Sequence, residues 1–438
     1  MKLLVHTLCL CLALALAWAD VLEENPHDDL HHTDPHGHPP DRCEGIEMDA
    51  ATVNEAGVPY VFKGHSLFKG FHGEAEPTNE TFTGHDDNFH LSHIDAAFHM
   101  HNEHNASEHD HTFIFSGPSV YRFHQHKLEE GYPKPISNEF HGIPDHLDAA
   151  VECPKGDCED DLVIFFKGHE IFHFNINSKS VAVKEYESMP NCTSAFRFMG
   201  NYYCFHGHMF SKFDPKTGEV HGKYPKEARD FFMRCSKFSN ESNHVERERC
   251  SRVPLDAITA DSAGHIYAFR GHYFLRKDDA NDTMTADTIG HLFKEVHSDV
   301  DAVFSHHNHL HMFKGENAYA YNVAEPHDHL DGNPKTVKEV LGLDGPIDAA
   351  FICEGDIAHV IRGPNMISVD MKANPPAAVI EHPISIFKKV DAAMCHGGGL
   401  KVIVGNHFYH FDDPMGLVSA TTAPEPHKVS MELFGCDH

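Results

Sequence analysis

Tryptophan is almost missing. There is one in 438 residues, Trp18, and it lies in an N-terminal apolar run. Positive charge is also scarce, with 35 Lys+Arg against 66 Asp+Glu and a formal charge of −31. Such a field repels a phosphate backbone, so no nucleic-acid partner is expected. After the first twenty residues no apolar stretch is long enough for a helical span, so no membrane insertion is expected. No nucleophile elbow, P-loop or dinucleotide fingerprint follows a suitable strand, and no two close CxxC pairs mark a zinc cluster. No enzyme is read from these residues.

Histidine, by contrast, is abundant, with 43 residues. Protonating all of them would carry the formal charge from −31 to +12, a large titratable reserve near neutral pH. The 41% hydrophobic content suffices for packed cores, and the length suggests two or three domains. Lys2, the Leu- and Ala-rich run to Ala17 and the Ala17-Trp18-Ala19 motif read as a signal peptide over residues 1–19. The mature protein is then secreted and free of tryptophan. Residues 20–42 mix His27, His31, His32, His36 and His38 with Asp and Pro, without apolar periodicity, and read as a flexible arm.

Ten cysteines remain after the signal: Cys43, Cys153, Cys158, Cys192, Cys204, Cys235, Cys250, Cys353, Cys395 and Cys436. An even count in a secreted chain favours five disulfides. Asn79, Asn105, Asn191, Asn240 and Asn281 each open an N-x-Ser/Thr acceptor for N-glycosylation.

An internal repeat organises the chain. An apolar-Asp-Ala-Ala phrase or a near variant recurs at Asp49, Asp95, Asp148, Ser194, Asp256, Asp301, Asp348 and Asp391. Anchors are 43 to 53 residues apart within each half and 62 apart between the halves. Each anchor is followed by short β-prone runs punctuated by Gly, as in Val61-Phe62-Lys63-Gly64 and Tyr267-Ala268-Phe269-Arg270-Gly271. These read as hairpins, and a unit of this size cannot bury its own faces. Eight units with one central gap predict an all-β protein of two four-bladed propellers joined by a short linker. Cys43 and Cys235 bracket the first four repeats, and Cys250 and Cys436 the second four. Joining each bracketing pair would close a ring, with Cys153–Cys158, Cys192–Cys204 and Cys353–Cys395 as the remaining pairs, although sequence alone does not fix connectivity.

From Cys43 to Cys436 the chain resembles the hemopexin family. The resemblance rests on the eight anchors, the apolar-Lys/Arg-Gly hairpins, Leu147-Asp148-Ala149-Ala150-Val151-Glu152-Cys153, Asn201-Tyr202-Tyr203-Cys204-Phe205, Phe213-Asp214-Pro215, Tyr224-Pro225 and Leu433-Phe434-Gly435-Cys436. It implies propellers over 43–235 and 250–438, a linker over 236–249, secretion into plasma and bis-histidyl heme held between the rings. It further implies a monomer that transports or scavenges heme, with a cell-surface uptake receptor.

The family's axial ligands are a linker His and a fifth-blade His. Here His244 is the only linker His, and His265, His272 and His291 are the fifth-blade candidates, His291 being favoured for its apolar flanks. Thr285 stands nearer the family's fifth-blade position, and Asn201, Lys212 and Phe231 occupy pocket-lining positions. The alternative is a hemopexin-repeat protein that binds proteins or divalent metals and has lost heme.

Two other features compete for chemistry. His169-Glu170-Ile171-Phe172-His173 is a literal HExxH. It follows a Lys-Gly turn, however, and on a strand its histidines would stand about 13 Å apart, too far to share one zinc. The clusters His99, His101, His104, His109, His111 and His306, His307, His309, His311 read as solubilising surface that can hold Cu, Zn or Ni weakly.

Overall fold

The computed structural model describes residues 42–43, 47–86, 89–91, 93–101, 109–235, 244–323, 327–328, 330 and 334–436. The signal peptide, the arm before Arg42, His104, Asn105, Asn240 and linker residues 236–243 lie outside them.

Each Asp-Ala-Ala anchor opens the first strand of an antiparallel sheet. The innermost strands are Ala50–Val53, Ala96–His101, Ala149–Cys153, Ser194–Phe198, Ala257–Ala260, Ala302–His306, Ala349–Ile352 and Ala392–His396. They begin blades 1 to 8. Seven sheets have four strands in simple sequential order, and blade 2 has a fifth short strand. In the first half, the inner strand of blade 1 packs on those of blades 2 and 4, and that of blade 3 packs on the same two. The inner strands of blades 5, 6, 7 and 8 make the same circuit. Each set is therefore a closed four-bladed ring. The alanines sit where four strands crowd the axis, and Ala50, Ala96, Ala149 and Ala257 are each only 1% exposed.

The two recurring phrases meet in one bond. The anchor aspartate accepts from the N–H of the glycine ending the second strand: Asp49 from Gly64 at 2.6 Å, Asp95 from Gly117 at 2.7 Å, and Asp148 from Gly168 at 2.6 Å. Blades 5 to 8 repeat it with Asp256–Gly271, Asp301–Gly315, Asp348–Gly363 and Asp391–Gly405. Those glycines have φ of 54° to 64°, a left-handed conformation that side chains disfavour. Blade 4 has lost the aspartate, and there the Thr193 hydroxyl accepts from Gly207 at 3.0 Å.

Phenylalanine supplies the aromatic mass between blades that tryptophan does not. Phe98, Phe115, Phe140 and Phe165 pack with ring centroids 5.2–6.2 Å apart, mostly edge to face. The ten cysteines form five disulfides, the pairs the bracketing suggests: Cys43–Cys235, Cys153–Cys158, Cys192–Cys204, Cys250–Cys436 and Cys353–Cys395.

Candidate functional site

The linker re-emerges as a short helix, His244–Arg249, packed on the third and fourth strands of blade 5, Tyr273–Asp278 and Thr283–Thr288. Val245 joins the apolar core of the second ring. Arg270, from the turn of blade 5, holds the end of the helix: its Nη1 donates to the Glu248 carbonyl at 2.7 Å and its Nε to the Val253 carbonyl at 2.8 Å.

The next residues lock onto the first ring. The Arg252 guanidinium donates to the backbone carbonyls of Asp49, Asp95 (3.1 Å) and Asp148 (3.2 Å), at the start of three inner strands. Glu47 accepts from the Ser251 hydroxyl at 2.5 Å and from the Arg252 N–H at 2.9 Å. Burial would raise the Glu47 carboxyl, but nearby His208 and these donors hold it below its usual range. Farther along the interface, Lys428 of blade 8 reaches Asp95 Oδ1 at 2.6 Å, and Lys388 reaches Glu170 at 2.5 Å. Burial disfavours the Asp95 charge, yet Lys428, His93 and Arg252 together outweigh it and keep the carboxyl well below the ordinary value.

Between the rings lies a cleft of about 630 Å³, within the usual range for small-molecule sites. Arg247 and Glu248 of the linker helix line it. Met209, Val253, Pro254 and Leu255 supply apolar wall, and Arg247, Arg270 and Lys389 supply cations. Four histidines face it: His169, His206, His208 and His272. Two of them have the tautomer of a ligand in waiting. His206 Nδ1 is 2.8 Å from the Asn191 carbonyl, and His272 Nδ1 is 3.3 Å from that of His297. Donation from Nδ1 leaves the Nε2 lone pair free. His208 is different: burial pushes its pKa down to about 4, against the pull of Glu47.

The structure distributes the sequence-derived residues unevenly. His244 opens the linker helix. His291 does not line the cleft; it is 71% exposed and its Nδ1 is 2.6 Å from Asp287 Oδ2, four residues back on the same surface. His265 is tied to Asp261 at 2.8 Å. Lys212 is exposed on the third strand of blade 4. Phe231 packs on Phe210 and Phe232, and neither Lys212 nor Phe231 lines the cleft. The sequence carried a signal for His272. In blades 3, 4 and 5 the residue after the latched glycine is His169, His208 and His272, and all three line the cleft.

The HExxH pentad is split by the same turn. His169 faces Asp391 across the interface at 3.3 Å, whereas His173 is buried on the strand Glu170–Asn175 with Nε2 2.7 Å from the Tyr186 hydroxyl. These histidines share no metal. Of the glycosylation acceptors, Asn191 lines the cleft, Asn281 is exposed and donates to Asp278, and Asn79 accepts from the Leu91 N–H. Among the described residues no helix is long and apolar enough to cross a membrane.

A hemopexin family model matches residues 94–145, which contain all five strands of blade 2. Hemopexin of Danio rerio is 58% identical over 406 residues, covering 92% of this chain and 90% of that protein. Human hemopexin is 33% identical over 430 residues, covering 91% and 90%. Matrix metalloproteinase-20 of Homo sapiens is 30% identical over 141 residues, which is 31% of this chain and 26% of that protein. With the eight latched blades, the two rings and relatives matched over 90% of their own length, the chain belongs to the hemopexin family.

Proposed function

We propose that the chain is a secreted plasma protein that binds and transports heme, held by two histidines between its propellers. In this reading residues 43–235 and 250–438 are the ring domains, 236–249 the linker, and 1–42 the signal and arm. The protein acts as a monomer and hands its cargo to a cell-surface receptor.

The observation that carries the reading is the wall of the cleft. The linker helix that begins at His244 and the blade 5 turn that carries His272 meet there, joined by Arg270. A linker residue and a fifth-blade residue are the two ligand sources the family resemblance implies. Two imidazoles saturate heme iron, which suits carriage rather than oxygen chemistry. His244 is the linker ligand, and His272 replaces His291 as the fifth-blade ligand because it faces the cleft. Arg247 and Lys389, cations of the cleft wall, would meet the propionates. Lys212 and Phe231 carry no role in this reading.

Heme titrated into the purified chain should give a low-spin bis-imidazole spectrum. His244→Ala and His272→Ala should each lose that signature and weaken binding, whereas His291→Ala should leave both unchanged. An intact signature in His272→Ala would reassign the fifth-blade ligand. If heme leaves the spectrum of the wild type unaltered, the reading fails in favour of a hemopexin-repeat protein that holds divalent metals or proteins instead.

A further inference from the structure

The first ring has a second mouth, opposite the one Arg252 closes. Here the inner strands of all four blades end around a cavity of about 280 Å³ lined by His99, His101, Glu152 and Arg197. His99 and His101 are alternate residues of the inner strand of blade 2, so strand alternation sets both on one face. The pairing shifts from Met100–His111 to His101–His109, which leaves Asp110 as the extra residue of a bulge in the second strand, and the His101 N–H is pinned by Glu152 of blade 3 at 2.5 Å.

Both imidazoles then face one carboxylate. His99 Nε2 is 3.4 Å and His101 Nδ1 is 3.7 Å from Asp110 Oδ1, and all three ligand atoms lie within 4.8 Å of one another. His109 Nε2 is 3.2 Å from Asp110 Oδ2.

We propose that His99, His101 and Asp110 form a zinc-binding site at the outer mouth of the first ring, with His109 or water in the fourth position. The donor set of imidazole nitrogens and one carboxylate suits zinc. Bonds of about 2.0–2.1 Å give tetrahedral edges of about 3.3–3.4 Å, close to the separations already present. The His99 side chain is only 1% exposed, and its Nδ1 is 3.2 Å from the Thr112 hydroxyl, an outer-shell bond that would fix its ring and leave Nε2 for the ion. His101 Nδ1 is buried and has no hydrogen-bond partner among the described residues. The similar trio His306, His307 and Asp356 in the second ring differs in one decisive respect: the Lys372 ammonium sits 2.7 Å from Asp356 and already supplies the cation.

The test is zinc itself, titrated into the full chain at neutral pH against a chromophoric chelator that strips the weak histidine sites. Asp110→Asn keeps a residue that tolerates the φ of 58° found there. It and His101→Gln should each lose one chelator-resistant zinc, or hold it at least about tenfold more weakly. His307→Gln should keep it, and heme binding should be unaffected in all three. An unchanged zinc count in Asp110→Asn overturns the site. Anomalous diffraction at the zinc edge from wild-type crystals is the second measurement. A peak between His99, His101 and Asp110 supports the site; zinc found only elsewhere refutes it, whatever the variants do.

Discussion

At the inner mouth of the first ring a single guanidinium answers three carbonyl oxygens that point toward the axis. Those carbonyls, of Asp49, Asp95 and Asp148, stand just before the inner strands of blades 1 to 3. A lysine ammonium is a point charge and would not span them; a planar fork does. Arg252→Met keeps the length and apolar stem but removes three charge-assisted hydrogen bonds from a buried site. Hydrogen bonds to a charged group contribute about 1.5–3 kcal/mol, so the variant should be destabilised by roughly 3 kcal/mol in urea unfolding. A change below about 0.5 kcal/mol would mean that water replaces the side chain at no cost. None of this was legible in the sequence, where Arg252 is one basic residue after a cysteine. Its role depends on three residues more than one hundred positions away.

The hairpins and the anchors belong to the scale of the element, and here the sequence was informative. The Asp-Ala-Ala phrase and the Lys/Arg-Gly phrase were visible as two separate repeats, and the strands and blade number followed from them, whereas the cysteine pairs were suggested by bracketing and fixed only by the fold. That the aspartate caps the glycine was not visible, because strand pairing brings the two together across 14 to 22 residues. The bond predicts a cost. Asp348→Ala should leave the half-buried Gly363 N–H without its acceptor and destabilise the second ring by about 1–3 kcal/mol, whereas Asp348→Asn, which retains an oxygen at 2.6 Å reach, should lose less. Equal losses would show that the carboxylate charge, not the acceptor, matters. Thr193 in blade 4 indicates that a neutral oxygen suffices. The cleft was less legible than the blades. Apolar flanks pointed to His291, but an exposed carboxylate at Asp287 claims it, whereas His272 follows a turn whose direction only the assembled ring reveals.

Across the whole molecule, histidines buried in the neutral form link stability to pH. Burial pushes His173 and His359 down to about 4 and His407 well below its ordinary value. Their folded pKa values lie below the unfolded value of 6.5, so the unfolded chain binds more protons between the two. Their contribution is complete above pH 6.5 and is lost as pH falls toward 4. A shift of that size is worth on the order of 3 kcal/mol for one group. Thermal unfolding followed from pH 7.5 to 4.5 should therefore show a steady fall in Tm, with His173→Phe falling less steeply than the wild type. A flat profile would contradict the burial of these rings. Arg252 adds a consequence for the order in which the molecule is made. It lies beyond Cys235, so the chain that closes the first ring's disulfide leaves the ribosome before the side chain that fills its mouth. Translation stopped anywhere between these two positions should yield a covalently closed but proteolytically soft ring, hardened only when the opening residues of the second half arrive.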